Sequence, residues 1–377
     1  MKVLSIMTRF NVGGTSQWLF NLSQGLSEND IENLLLVGEC PKSETEDSRL
    51  SKIPHKKIIG LGPKNSLAST ISSFFQLRRA IKDFRPDIVN THTSKAGVLG
   101  RIAAFTLSNR PTIVHTYHGH VLSGYFNPLL EKLIQAIEIS LSLITDFFLV
   151  SGQQVLNDIK KAQIIRKSNV LDIWPAVADF SLGDRKKLRA SLNIDESRVV
   201  VGWLGRKVPI KRIDRILDLA QARPEIYFLI AGDGDSIKKT FADRFKSNAF
   251  ANVIELGFTT PSDIWSIADI CLISSDNEAM PISPIEASLA KLPVIGVDAG
   301  STREVIIDGE TGYICKAEAG ELLKALDKLS ANKTEREAMG LAARKYALEK
   351  FNPSSSISRQ IQGYKEALAQ KSRGFRS

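Results

Sequence analysis

The chain is poor in the residues that build disulfide frameworks and metal clusters. Its three cysteines, Cys40, Cys271 and Cys315, are odd in number and far apart, which excludes a stapled secreted scaffold and fits a reducing compartment. It also lacks an uncharged apolar run of spanning length. The longest candidate, residues 133–150, is interrupted by Glu138 and Asp146 and reads as a buried helix feeding a strand. No internal repeat or low-complexity segment is present, and the opening MKVLSIMT runs into a core strand without a cleavage site, so a cytoplasmic location is expected. What remains is an ordinary globular composition, 43% hydrophobic and 24% charged, over 377 residues, more than one average domain holds.

Charge is unevenly spread. The net charge is +9, and residues 1–175 hold 20 Lys and Arg against 14 Asp and Glu, two thirds of the excess. A basic N-terminal half suits an anionic membrane surface or a phosphorylated substrate. Nucleic acid is not expected, because no binding motif or aromatic stacking pattern accompanies the charge. Residues 67–84 (LASTISSFFQLRRAIKDF) place apolar residues at helical spacing beside Arg78, Arg79 and Lys82, a pattern that serves either a lipid surface or a solvated helix face.

Strand and helix patterns alternate throughout, predicting an α/β protein with parallel sheets. Strands are expected at residues 3–7, 33–37, 88–91, 112–116 and 147–150. After a proline-containing stretch without clear period comes a second series at 199–203, 226–231, 253–256, 270–273 and 294–297. Helices are expected at 212–222, 236–247 and 261–267, the last capped by Thr259 and Thr260. The resulting division is 1–175, 176–354, and a terminal segment 355–377 whose helix crosses back to the first domain.

Several constellations carry chemistry. Glu278 and Glu286 stand eight positions apart around Pro281 and Pro284, with Glu278 in a strand-to-helix loop and Glu286 in the first helical turn. Two carboxylates at the carboxyl end of a parallel strand can accept hydroxyls of one ligand, and the amides of Met280, Ile282 and Ser283 can donate. The alternative for Glu286 is a charge placed by the helix dipole. Arg206 closes the strand VVVGWLG, and Lys211 follows five residues later, a cation pair suited to a diphosphate. Lys207 and Arg212 read as a solvated basic loop. Gly13 and Gly14 let backbone approach a ligand or simply make a tight turn, and they lack the third glycine of a dinucleotide fingerprint. Four of the five histidines, His92, His115, His118 and His120, fall within 29 residues. A metal reading is set aside for want of a nearby carboxylate. His118 is placed in the ligand cleft and His115 in the core. Ser94 can cap a helix whose N-terminus, with Lys95, either attracts a phosphate on the acceptor side or is an ordinary capped start with an exposed lysine.

Taken together, these segments resemble the retaining glycosyltransferases of family 4, whose GT-B fold has two Rossmann-like domains facing across a cleft. Arg206 and Lys211 look like the family's diphosphate pair, and Glu278 with Glu286 like its Glu-x7-Glu motif. AGDGDS, the ELGF segment, SIADICLISS and EASLAKLPVIGVDAGSTREVIIDGETGYI match the same pattern, while GGTSQ, HTSKAGVLGRIAA and HTYHGH look like members acting on bacterial surface polysaccharides or lipid-linked oligosaccharides. Ala279 and Lys291 depart from glycines common in the family. The resemblance implies a nucleotide sugar, UDP-linked, as donor and a glycan or polyprenyl-linked acceptor, at the inner face of the cell membrane. Arg206 and Lys211 would hold the diphosphate, Glu286 the ribose, and Glu278 with the backbone of Met280, Pro281, Ile282 and Ser283 the sugar. Gly257 and Phe258 would flank the base, Gly13 and Gly14 the diphosphate, and His118 the reaction centre. No metal and no resident cofactor are expected, since cations already neutralise the leaving group. Two other readings share the fold: a nucleotide-sugar epimerase, and a non-catalytic scaffold that only binds the donor.

Overall fold

A computed structural model describes all residues except 43, 64–65, 120–126, 166–168, 247–249 and 375–377. The chain divides into two compact units, Met1–Ala176 with Pro353–Ser377, and Val177–Asn352.

The first unit runs β1 (Lys2–Met7), α1 (Gly14–Glu28), β2 (Glu32–Val37), β3 (His55–Lys57), α2 (Leu67–Phe84), β4 (Ile88–His92), α3 (Ser94–Phe105), β5 (Thr112–Tyr117), α4 (Pro128–Ser142), β6 (Phe147–Ser151), α5 (Gln153–Lys161) and β7 (Val170–Ile173). All strands are parallel, in the order β3-β2-β1-β4-β5-β6-β7. Strands β4, β5 and β6 are buried along their whole length, as a sheet covered on both faces requires. Local signals set the helix ends. Ser66 and Asn127 accept the backbone N–H groups of Ser69 and Leu130, and Arg85, left-handed at φ 52° before Pro86, stops α2.

The second unit holds α6 (Arg185–Ser191), β8 (Val200–Leu204), α7 (Ile213–Ala222), β9 (Tyr227–Ala231), α8 (Ile237–Thr240), β10 (Val253–Gly257), α9 (Pro261–Ile267), β11 (Ile270–Ile273), α10 (Ile282–Leu289), β12 (Val294–Val297), α11 (Thr302–Val305), β13 (Gly312–Cys315), α12 (Ala319–Ala331) and α13 (Lys333–Lys350). Its sheet is also all parallel, in the order β10-β9-β8-β11-β12-β13. The buried Arg189 guanidinium ties α6 to this sheet by bonding Asp269 Oδ2 at 2.7 Å and the Ile267 carbonyl at 2.9 Å.

The chain then returns to the first unit as α14 (Pro353–Gly374). Trp18 Nε1 on α1 donates to Gln360 Oε1 at 3.2 Å, and Asn90 Nδ2 on β4 donates to the buried Tyr364 hydroxyl at 2.8 Å. Close approach explains two glycines. A Cβ on Gly25 would stand 2.7 Å from Ile357, and one on Gly363 would stand 2.6 Å from Leu149.

Three strands carry no clear sequence signal. β3 is an exposed edge strand of sequence HKK, a charged edge that deters further pairing; β7 and β13 are four-residue, half-buried edge strands. The helix expected over 236–247 is only α8 followed by a 3-10 turn at Arg244–Lys246. Thr260, not Thr259, caps α9. Residues 133–150 do form a helix that feeds a buried strand, β6, but the expected burial of the helix is corrected. Of α4, only Glu138 and Leu141 are buried; Glu138 points inward while Leu129, Leu133 and Ile137 point outward. Among the described residues no helix is long and apolar enough to cross a membrane.

Candidate functional site

In the second unit the site grows from the carboxyl ends of β8 and β11. As β8 ends, Gly205 N–H bonds the Ala231 carbonyl at 3.0 Å and Lys207 N–H the Asp233 carbonyl at 2.8 Å, pressing this turn against the loop after β9. Gly232 makes that contact possible. Its φ is +122°, and a Cβ there would lie 2.0 Å from the Gly205 carbonyl oxygen. Arg206 leaves this turn exposed. Lys207 does the opposite of what was expected: its ammonium is buried against Glu255 Oε1 at 2.5 Å, and Glu255 also accepts from Ser236 Oγ at 2.9 Å. Although burial raises the Glu255 pKa, these hydrogen bonds outweigh it and hold the carboxyl below its ordinary value. Arg212 likewise is not free; it bonds Asp214 at 2.7 Å and Asp276 at 3.1 Å.

A second set of bonds brings the loop after β11 onto the 3-10 turn Pro209–Lys211. Ser274 Oγ donates to the Lys211 carbonyl at 2.7 Å, Asp276 N–H to the Ile210 carbonyl at 2.9 Å, and Arg215 to the Ser274 carbonyl at 2.7 Å. The outcome is a direct contact between two expected site residues. Lys211 Nζ lies 2.6 Å from Glu278 Oε1, the same oxygen that accepts Ser275 Oγ at 2.6 Å. The other side of the loop is held by Gly300, at φ +55°, and by Ser301 N–H donating to the Glu278 carbonyl at 2.8 Å.

Helix α10 starts at Ile282, earlier than a first-turn Glu286 requires, since Pro284 falls in the first turn where its missing N–H is not needed. Glu286 therefore sits in the second turn, not the first. Its carboxylate is buried near Cys271, whose thiol pKa is pushed up by burial and then by the Glu286 charge. The side chains of Met280 and Ile282 are buried, and the helix N-terminus, with Pro281 at its cap, has no side-chain acceptor. Gly257, at φ +64°, accepts the Gly232 N–H at 2.7 Å, and the next residue, Phe258, is exposed.

In the first unit, Gly13 and Gly14 open α1 with no side-chain cap. His118 follows β5; its Nε2 is 2.9 Å from His92 Nδ1, and its ring meets Trp18 edge-on at 4.9 Å. Burial lowers its pKa to about 3, so the imidazole is neutral near pH 7. His115 is a core residue bonded to Thr91 Oγ1 at 2.7 Å, and His120 lies outside the described residues. Among the described residues no three His, Cys, Asp or Glu side chains are grouped to hold a metal ion. Ser94 does not cap α3. The cap position is Thr93, whose hydroxyl is drawn to Thr8 Oγ1 at 2.7 Å. Lys95 donates to the Gly60 and Gly62 carbonyls at 3.0 and 2.8 Å, and burial lowers its pKa.

Sequence reasoning missed Lys207, Glu255, Ser275 and Gly300. The adjacency of Lys207 to Arg206 and the glycine in VDAGS were the available signals; the Lys207–Glu255 pairing, 48 positions apart, left none.

The two units are Rossmann-like parallel sheets, the arrangement of the GT-B fold, and the second carries a Lys–Glu contact at its strand ends. Residues 12–177 match the model of Glycosyltransferase Family 4, and residues 184–346 that of Glycosyl transferases group 1. The chain belongs to this family of glycosyltransferases. It is 24% identical to an uncharacterized 41.2 kDa protein in the cps region of Klebsiella pneumoniae, over 94% of this chain and 96% of that one. It is 26% identical to an Escherichia coli UDP-Gal:alpha-D-GlcNAc-diphosphoundecaprenol alpha-1,3-galactosyltransferase over 61% of this chain and 62% of the relative. Its fold matches that of Anabaena HepE in complex with UDP and glucose with a TM-score of 0.82, at 20% identity, covering 97% of this chain and 100% of the other.

Proposed function

We propose that the protein transfers a hexose or N-acetylhexosamine from a UDP-sugar to a hydroxyl of a glycan or polyprenyl-linked glycan, with retention at the anomeric carbon. The observation that carries this reading is the Lys211–Glu278 contact beside the exposed Arg206. Arg206 and Lys211 take the donor diphosphate and stabilise charge as the bond from the anomeric carbon to the phosphate oxygen breaks. Neutralisation by these two cations requires neither metal nor resident cofactor. Glu278 accepts sugar hydroxyls, joined by the amides of Ile282 and Ser283, while Met280 and Pro281 shape the loop; Glu286 takes the ribose. Gly257 and Phe258 serve the base, and Gly13, Gly14 and His118 serve the donor. Ser94 and Lys95 serve the acceptor, whose phosphate must replace the Gly60 and Gly62 carbonyls on Lys95. Burial makes His118 a weak base, its pKa lowered to about 3, so the acceptor proton passes to the departing phosphate oxygen on the same face as the new bond.

The donor assignment draws on the UDP named with two of the relatives, and a lipid-linked acceptor on the diphosphoundecaprenol of one of them. Such an acceptor places the protein at the inner membrane face, which the basic N-terminal half suits.

Calorimetry with UDP and UDP-sugars tests the site. Arg206→Ala and Glu286→Ala should each weaken UDP binding at least about tenfold, and unchanged affinity in both variants would refute the assignment. Donor turnover without acceptor would instead identify an epimerase, and binding without transfer to any extracted acceptor a scaffold.

A further inference from the structure

Helix α4 inverts the usual logic of a surface helix. Its one buried charge, Glu138, accepts from Arg101 Nη2 at 2.8 Å and from the Tyr117 hydroxyl at 2.6 Å, locking the helix to α3 and β5. Its outward row, spaced by four, is Leu129, Leu133 and Ile137, exposed by 80%, 56% and 40%. Lys132, also exposed, flanks this row one position before Leu133, and the row ends at the buried Leu141. On α2, Leu67, Ile71 and Phe75 repeat the spacing at 78%, 51% and 61% exposure, followed along the helix by Arg79, which pairs with the exposed Asp83 at 3.7 Å, and by Lys82.

These rows belong to one layer. From β3 to β4 and on through β7 the chain moves in one direction across the sheet, and from β1 to β2 in the other, so right-handed crossovers put α2, α3, α4 and α5 on the face opposite α1. Contacts agree: α3 packs against both α2 and α4, and α1 against α14. Ile102 and Phe105 of α3, between the two rows, are exposed as well. Scattered surface leucines need no explanation, but aligned apolar rows on neighbouring helices, with cations among them, do.

We infer that the outer face of α2, α3 and α4 docks on an anionic lipid bilayer, the apolar rows entering the acyl boundary while Arg79, Lys82 and Lys132 meet lipid phosphates. A second copy is the poorer occupant, since two copies of this face would oppose like charges. The inference rests on the reading of a lipid-linked acceptor only for its purpose; the face itself is defined by exposure and charge.

Flotation of the full chain with vesicles of phosphatidylcholine alone, and with phosphatidylglycerol added, tests the proposal. Binding is expected to the mixed vesicles and to fall with salt. Leu133→Glu with Ile137→Glu should weaken it roughly tenfold or more, and the milder Leu129→Gln with Leu133→Gln should weaken it with the thermal midpoint unchanged. Equal flotation of wild type and both variants, or none by wild type, would overturn the proposal. So would a wild-type dimer that Leu129→Gln with Leu133→Gln turns into a folded monomer, which would assign the face to a second copy. UDP calorimetry on the same samples separates the two questions: donor binding without flotation sinks the docking face alone, and flotation without donor binding sinks the functional reading alone.

Discussion

Lys211 and Glu278 are 67 positions apart in the chain, yet their side chains meet at 2.6 Å. The contact exists because Ser274, Asp276 and Arg215 fasten the loop after β11 to the turn that carries Lys211. The ammonium is thus held in place before any donor arrives, and its own charge is partly offset by the carboxylate.

That offset yields opposite predictions for the two partners. Lys211→Met should weaken UDP binding by about 2 kcal/mol, roughly 30-fold, the worth of a charge-assisted hydrogen bond. Glu278→Gln should keep or improve affinity for UDP while removing the extra affinity conferred by the sugar. Calorimetry with UDP and the UDP-sugar on both variants checks this, and a Glu278→Gln protein that loses UDP and sugar affinity in equal measure would contradict the sugar-ligand role.

Gly300 should be intolerant of a side chain. A Cβ there would lie 1.9 Å from the Glu278 carbonyl oxygen, on a backbone at φ +55°. Gly300→Ala is expected to cost about 2 kcal/mol or more and to displace the loop that bears Glu278. Gly309 is the control, since it also has positive φ but a Cβ there meets nothing within 4 Å. Gly309→Ala should cost only about 1 kcal/mol. Equal losses in urea denaturation would show that the contact with Glu278 is not what requires glycine.

Three histidines of the first unit make its stability dependent on pH. His92 is held well below its ordinary pKa by burial and then by His118, His115 by burial and then by Arg101, and His118 by burial to about 3. The unfolded chain binds these protons near pH 6.5 and the folded one does not, so stability is full above that pH and falls as pH drops below it. Each histidine should contribute a slope of about 1.4 kcal/mol per pH unit in that acid window. Urea denaturation at several pH values between 7.5 and 5.5 (~one unit either side of an ordinary histidine pKa) should show the slope reduced in His115→Gln. A wild-type slope near zero would contradict the buried neutral state.

The parallel α/β architecture was legible because strands such as β11 and β12 are short apolar runs bounded by turn residues, and a pattern of that kind survives any arrangement of its neighbours. Edge strand β3 was not, since HKK carries charge where a central strand carries hydrophobics. The charged groups Arg206, Lys211, Glu278 and Glu286 were legible by type and by their place after strands. The inward Lys207 was not, because its partner Glu255 lies on another strand and spacing alone cannot distinguish a solvated lysine from a buried one.

By itself, then, the sequence determined which segments become strands and which charged residues stand at their carboxyl ends, because periodicity and turn chemistry act over a few residues. Tertiary structure alone decided that Lys211 faces Glu278, that Lys95 is taken by carbonyls, and that Trp18 and Asn90 are the side chains that hold the terminal helix, already expected on the first unit, through Gln360 and Tyr364. It also decided which side of α4 faces water. An apolar row looks the same in sequence whether it packs inward or outward, and with Glu138 buried against Arg101 and Tyr117 it is Leu129, Leu133 and Ile137 that face out.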